Sequence, residues 1–88
     1  MNVILNCEYL TEREQAHEYL AKMLSFPGYY GKNLDALYDC LTELSGRNLV
    51  LLNTALLSSG YGERILKTLE DAARSNPGLT LEVVPAAV

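Results

Sequence analysis

The chain has 88 residues, a formal net charge of −4 and 49% apolar residues. A chain of this length forms one small domain that buries roughly 60–65% of its unfolded surface, and its apolar content argues against disorder. The acidic balance disfavours nucleic-acid binding, which needs clustered Lys and Arg, and suits a basic partner.

Val3, Ile4 and Leu5, with Cys7, read as a first strand. Thr11 followed by Glu14 matches a capping box and opens a helix that runs to about Ser25. Ala16, Leu20, Met23 and Leu24 share its inner face, with Glu12, Arg13, Glu18 and Lys22 largely outside. The one histidine, His17, lies on this helix, where a structural role is expected rather than catalysis. Pro27-Gly28 ends the helical region.

Asn33 is a good N-cap for a second helix with an apolar face of Leu34, Leu37, Leu41 and Leu44, ended by Gly46. Leu49 to Leu52 is a continuous apolar run, suited to a central strand buried on both faces. A short helical segment at Ala55–Leu57 precedes the break at Ser58-Ser59-Gly60. A last helix follows from about Tyr61 to Ser75, with Ile65, Leu66, Leu69 and Ala72 inside. Asn76-Pro77-Gly78 stops it, Leu79 to Val84 reads as a strand, and Pro85 onward as a loose tail. Strands separated by helical crossovers favour a parallel α/β sheet.

No segment approaches the ~20 apolar residues of a membrane span. Met-Asn-Val-Ile-Leu-Asn at the start has no basic n-region, so no signal peptide is expected and the chain reads as cytoplasmic. Two cysteines, Cys7 and Cys40, make neither a disulfide framework nor a metal site, and Cys40 beside core positions reads as a small buried hydrophobe. No cofactor is expected.

The segment from Pro27 to Thr42 carries the chemistry: Pro-Gly-Tyr-Tyr-Gly-Lys-Asn-Leu-Asp-Ala-Leu-Tyr-Asp-Cys-Leu-Thr. Asp35, Asp39 and Glu43 recur at four-residue spacing, with Tyr38 and Thr42 beside them. Asp35 alone is explained by the helix dipole. Asp39 is not: like charges one turn apart cost ~0.2–0.5 kcal/mol per pair. Tyr29 and Tyr30 precede the helix, and one is expected to pack inward while the other stays available. Gly31 suggests a backbone conformation or close approach that other residues resist. Leu34 and Leu37 read as core, with Leu34 partly exposed at the helix start.

The string Pro27, Tyr29-Tyr30-Gly31, Asn33 to Leu37 and Asp39 to Thr42 resembles the barstar family, small intracellular inhibitors of barnase-type ribonucleases. The resemblance implies a barstar-like domain over residues 1–88, with a three-stranded parallel sheet packed on three to four helices. It implies a partner-binding surface of Tyr29, Tyr30, Gly31, Asn33, Leu34, Asp35, Tyr38, Asp39, Thr42 and Glu43, with Asp71 at the rim. Tyr29 is then the contact residue and Tyr30 the more structural one. Tyr38 stands where the family's namesake carries tryptophan, and Lys32 where it carries an acidic residue. The chain is also several residues shorter between its second strand and last helix.

The resemblance implies a secreted ribonuclease as partner: a chain monomeric when free and paired one-to-one with the nuclease. An acidic ridge can imitate nucleic acid toward a basic cleft, with no turnover of its own. Two alternatives stay open. One is an acidic immunity protein, of toxin–antitoxin type, for another basic toxin or protein. The other is an enzyme using Asp35 and Asp39 as an acid–base pair, which lacks a supporting Ser-His-Asp or Cys-His arrangement.

Overall fold

A computed structural model describes residues 1–86. It holds β1 (Asn2–Asn6), α1 (Arg13–Leu24), α2 (Leu34–Thr42), β2 (Arg47–Leu52), α3 (Gly60–Ser75) and β3 (Leu79–Val84), with 3-10 turns at Cys7–Leu10 and Thr54–Leu57. The strands form one parallel sheet in the order β1-β2-β3. β2 is central, as its apolar run suggests, its Leu49 pairing with Val3 on one side and Leu81 on the other.

Leu5, Leu49, Leu51, Leu37, Leu41, Ile65 and Leu69 are fully buried in one apolar cluster. Each such side chain contributes about 1.5–3 kcal/mol by leaving water. Alternation decides which sheet face is covered. Val3, Leu5, Leu49 and Leu51 are buried, whereas Asn2, Ile4, Thr80 and Glu82 on the other face are exposed. Val50 and Leu52 are therefore only half-buried, which corrects the expectation of a strand buried on both faces. On the open face, Asn48 Nδ2 donates to Asn2 Oδ1 at 3.2 Å and the Thr80 hydroxyl donates to Asn48 Oδ1 at 2.8 Å, a polar row across all three strands.

Four local expectations are corrected. Cys7 lies in a 3-10 turn rather than in β1, because the Asn6 side chain accepts from Glu8 N and turns the chain. Thr11 does not open a capping box: its backbone is helical, at the end of that turn, and α1 begins after Glu12 without a side-chain cap. Met23 points outward, and the buried positions of α1 are Ala16, His17, Leu20 and Leu24. α2 ends at Thr42, four residues before Gly46, which takes a positive φ ahead of β2. Of the C-terminal tail, the Pro85 carbonyl accepts from Ala55 N at 3.1 Å; residues 87–88 lie outside the described residues.

Candidate protein-binding site

Ser25 closes α1 in the left-handed conformation, with φ 56°, and its N–H bonds back to the Ala21 carbonyl. The chain then makes a tight turn, Tyr30 N donating to the Pro27 carbonyl at 3.0 Å. Tyr29 projects from that turn and is 89% exposed. Tyr30 goes the other way, 8% exposed, with its ring centroid 4.9 Å from that of Phe26. Its hydroxyl lies 2.5 Å from His17 Nδ1, and the other ring nitrogen of His17 lies 2.6 Å from the Tyr61 hydroxyl at the start of α3.

The positive φ of the loop falls on Lys32, at 53°, and not on Gly31. Gly31 serves close approach instead: a Cβ there would stand 3.3 Å from Asn33 Nδ2 and 3.4 Å from Ala36 Cβ. Asn33 caps α2, its Oδ1 accepting from Ala36 N at 2.8 Å while its Nδ2 donates to the Gly31 carbonyl at 3.3 Å. One side chain thus satisfies an orphan helix donor and ties the loop to the helix.

An open groove of about 430 Å³ separates this loop from α2. Leu24, Phe26, Cys40 and Leu44 give it apolar walls, and Tyr29, Tyr30, Gly31, Asp39 and Glu43 are among its other lining residues. Asp35 is turned away from it. Residues 35 and 43 are two repeats of four apart, and at 100° per residue they are rotated by roughly 80° around the helix. Asp35 borders a second depression with Arg13, Asn33, Leu34 and Tyr61. The acidic ridge therefore winds, serving two adjoining hollows rather than one line. Among the described residues, no ion pair engages Asp35, Asp39 or Glu43; the two present are Lys32–Glu18 and Arg74–Asp71.

The remaining candidates divide. Thr42 is half-exposed and its hydroxyl donates to the Asp39 carbonyl at 2.9 Å. Tyr38 is half-buried against the core, and its hydroxyl donates to Ser75 Oγ at 2.8 Å, tying α2 to the end of α3. Leu34 is half-buried at the helix start. Asp71, on α3, is held by Arg74. Cys40 is only half-buried, a correction to its reading as core, because it sits in the groove wall. Burial, with Glu43 and Asp39 beside it, pushes the Cys40 thiol up, which disfavours its thiolate. Burial pushes Cys7 up to about 11. Among the described residues, no group of three His, Cys, Asp or Glu is placed to hold a metal ion, and no helix is long and apolar enough to cross a membrane.

Sequence reasoning missed Tyr61, which appeared only as a helix start, and missed what His17 touches. The available signal was a lone polar residue at an inward position of α1.

Over residues 1–85 the chain matches the protein family described as Barstar (barnase inhibitor). A protein of Bacillus subtilis (strain 168) named "Putative ribonuclease inhibitor YrdF" is 41% identical to it over 66 residues, a stretch covering 67% of this chain and 70% of that protein.

Proposed function

The chain belongs to the barstar family, and we propose that, as a single domain over its whole length, it inhibits a secreted barnase-type ribonuclease by seating α2 and the loop before it in the enzyme's basic cleft. The observation that carries this reading is the groove itself. Exposed Tyr29 faces Asp39 and Glu43 across it, and neither carboxylate has a cation of its own among the described residues. A ribonuclease cleft is built to hold phosphates, so it supplies cations with no counterpart when RNA is absent. Asp39 and Glu43 receive such a cationic side chain in the groove, and Asp35 pairs with a second from the adjoining depression. Tyr29 covers an apolar base site, as a rigid aromatic anchor with few rotamers to lose.

The other members support this contact. Gly31 lets the loop approach α2 closely, and Asn33 presents its amide at the adjoining depression. Leu34, Tyr38 and Thr42 border the ridge, while Tyr30 acts from beneath the loop. Asp71 extends the acidic rim once the nuclease competes with Arg74. The inhibitor acts by occupying the cleft, without cofactor or turnover. It works in the cytoplasm, as a monomer that becomes a one-to-one complex. The acidic surface speeds capture of a basic enzyme before it reaches cellular RNA.

The test is affinity capture from the cells that make this chain, followed by RNA cleavage by the captured protein with and without added inhibitor. A basic ribonuclease silenced at one equivalent supports the reading. Capture of a basic toxin with no ribonuclease activity would replace it with the immunity-protein alternative.

A further inference from the structure

His17 is the point at which three elements meet beneath the site. It belongs to α1, it is fully buried, and its two ring nitrogens engage Tyr30 of the loop at 2.5 Å and Tyr61 of α3 at 2.6 Å. A neutral imidazole has one donor and one acceptor nitrogen, so one tyrosine must donate to it and the other accept. Burial decides which. Tyr30 is 8% exposed and its hydroxyl has His17 as partner, so its hydrogen must go to Nδ1. Tyr61 is only half-buried, so it can accept from Nε2–H and turn its own hydrogen outward. The ring is then the Nε2–H tautomer, and the order is Tyr30 O–H to Nδ1, and Nε2–H to Tyr61.

We propose that His17 is the positioning residue of the partner-binding loop, and that a proton on its Nδ1 releases the loop. Its importance to affinity rests on the inhibitor reading above. A proton on Nδ1 makes both nitrogens donors, so Tyr30 can no longer donate and its buried hydroxyl hydrogen is left without an acceptor. Tyr29 and Gly31, the neighbours of Tyr30, lie in the groove lining and move with it.

The groups facing the imidazole fit a ring kept neutral at ordinary pH. Burial, then Arg13 on α1 and Lys32 on the loop, hold its pKa below the usual 6.5. From α3 and the loop it meets the Tyr61 and Tyr30 phenols, and burial raises the Tyr30 phenol so that it keeps its proton. Asp35 lines a depression together with Tyr61 and Arg13, and Glu14 and Glu18 flank His17 in sequence along α1. Lys32 also pairs at 3.9 Å with Glu18, which tempers its charge. The sign follows: the unfolded chain takes up the proton first. Stability from neutral His17 is complete above 6.5 and is lost as pH falls from there through the lower folded value.

The experiment has two arms. In the free protein, ring-nitrogen NMR of His17 and amide exchange at Tyr29 and Gly31 are followed as pH is lowered, in wild type and in Tyr30→Phe, which removes the hydroxyl and keeps the ring. Expected are an Nε2–H tautomer at neutral pH and faster Tyr29 and Gly31 exchange in step with His17 protonation, with that step absent in Tyr30→Phe. In the second arm, dissociation from a barnase-type ribonuclease is timed over the same range. It should quicken about tenfold in wild type as His17 titrates, the size expected for one buried group left unpaired. In Tyr30→Phe it should be fast throughout. An Nδ1–H tautomer, a charged ring at neutral pH, or loop amides indifferent to the titration would overturn the proposal. Wild type that binds no ribonuclease would instead overturn the inhibitor reading, with the first arm still deciding on His17.

Discussion

Tyr29 and Tyr30 are adjacent in the chain and opposite in environment: Tyr29 is 89% exposed, while Tyr30 is 8% exposed with its hydroxyl 2.5 Å from His17 Nδ1. The turn closed by Tyr30 N on the Pro27 carbonyl sends the two side chains apart. Tyr29→Ala should therefore leave folding stability within about 0.5 kcal/mol of wild type. Tyr30→Ala should lower it by about 3–5 kcal/mol, the cost of emptying a buried aromatic site. Urea denaturation of the two free variants measures the contrast.

Asn33→Ala removes the cap on Ala36 N and the tie to the Gly31 carbonyl. A lost cap costs about 1 kcal/mol. In a domain of this size that lowers the melting temperature by roughly 4–8 °C, readable by circular dichroism. A melt unchanged within error would mean that water caps α2 as well as Asn33 does.

Asp39 lies one turn from both Asp35 and Glu43 and has no ion pair among the described residues. Asp39→Ala relieves two like-charge contacts of ~0.2–0.5 kcal/mol each and introduces a better helix former. Its melting temperature should equal or slightly exceed that of wild type. Asp35 sits in the first turn of α2, so Asp35→Ala also forfeits ~0.3–1 kcal/mol of dipole stabilisation and should gain less or lose. Thermal melts of the two free variants decide. A large drop for Asp39→Ala would make Asp39 a fold residue and remove it from the recognition surface.

Because the ridge is acidic and exposed, encounter with a basic nuclease should slow steeply as salt rises, while dissociation changes less. Stopped-flow mixing at several ionic strengths measures both rates. An association rate indifferent to salt would show that the ridge does not steer.

The parts of the fold that were legible in the sequence are those set by local period. Leu37 and Leu41 gave the inner face of α2, and Leu49 and Leu51 a strand that is central in the sheet. What escaped was set by distant parts of the chain or by competing turns. No local pattern says that helices cover only one sheet face, so Val50 and Leu52 looked buried and are half-exposed. Asn6 caps a 3-10 turn and pulls Cys7 out of the strand, a choice that an apolar run does not record. The spacing of Asp35, Asp39 and Glu43 was legible, but the sorting of Asp35 into a separate hollow depends on where Arg13 and Tyr61 arrive. The bridge from His17 to Tyr30 and Tyr61 spans 13 and 44 residues, beyond the reach of helical periodicity.

The central claim is that Asp39, with Tyr29 across the groove, is a recognition residue. It is tested most directly by titrating the captured ribonuclease with wild type, Asp39→Ala and Tyr29→Ala and reading the inhibition constant from RNA cleavage. Removing one partner of a buried charge pair costs about 3–5 kcal/mol, so Asp39→Ala should weaken inhibition by about a hundredfold to several thousandfold while the free variant stays folded. Tyr29→Ala should also weaken it, by loss of an aromatic anchor. Inhibition constants unchanged in both variants would contradict the account.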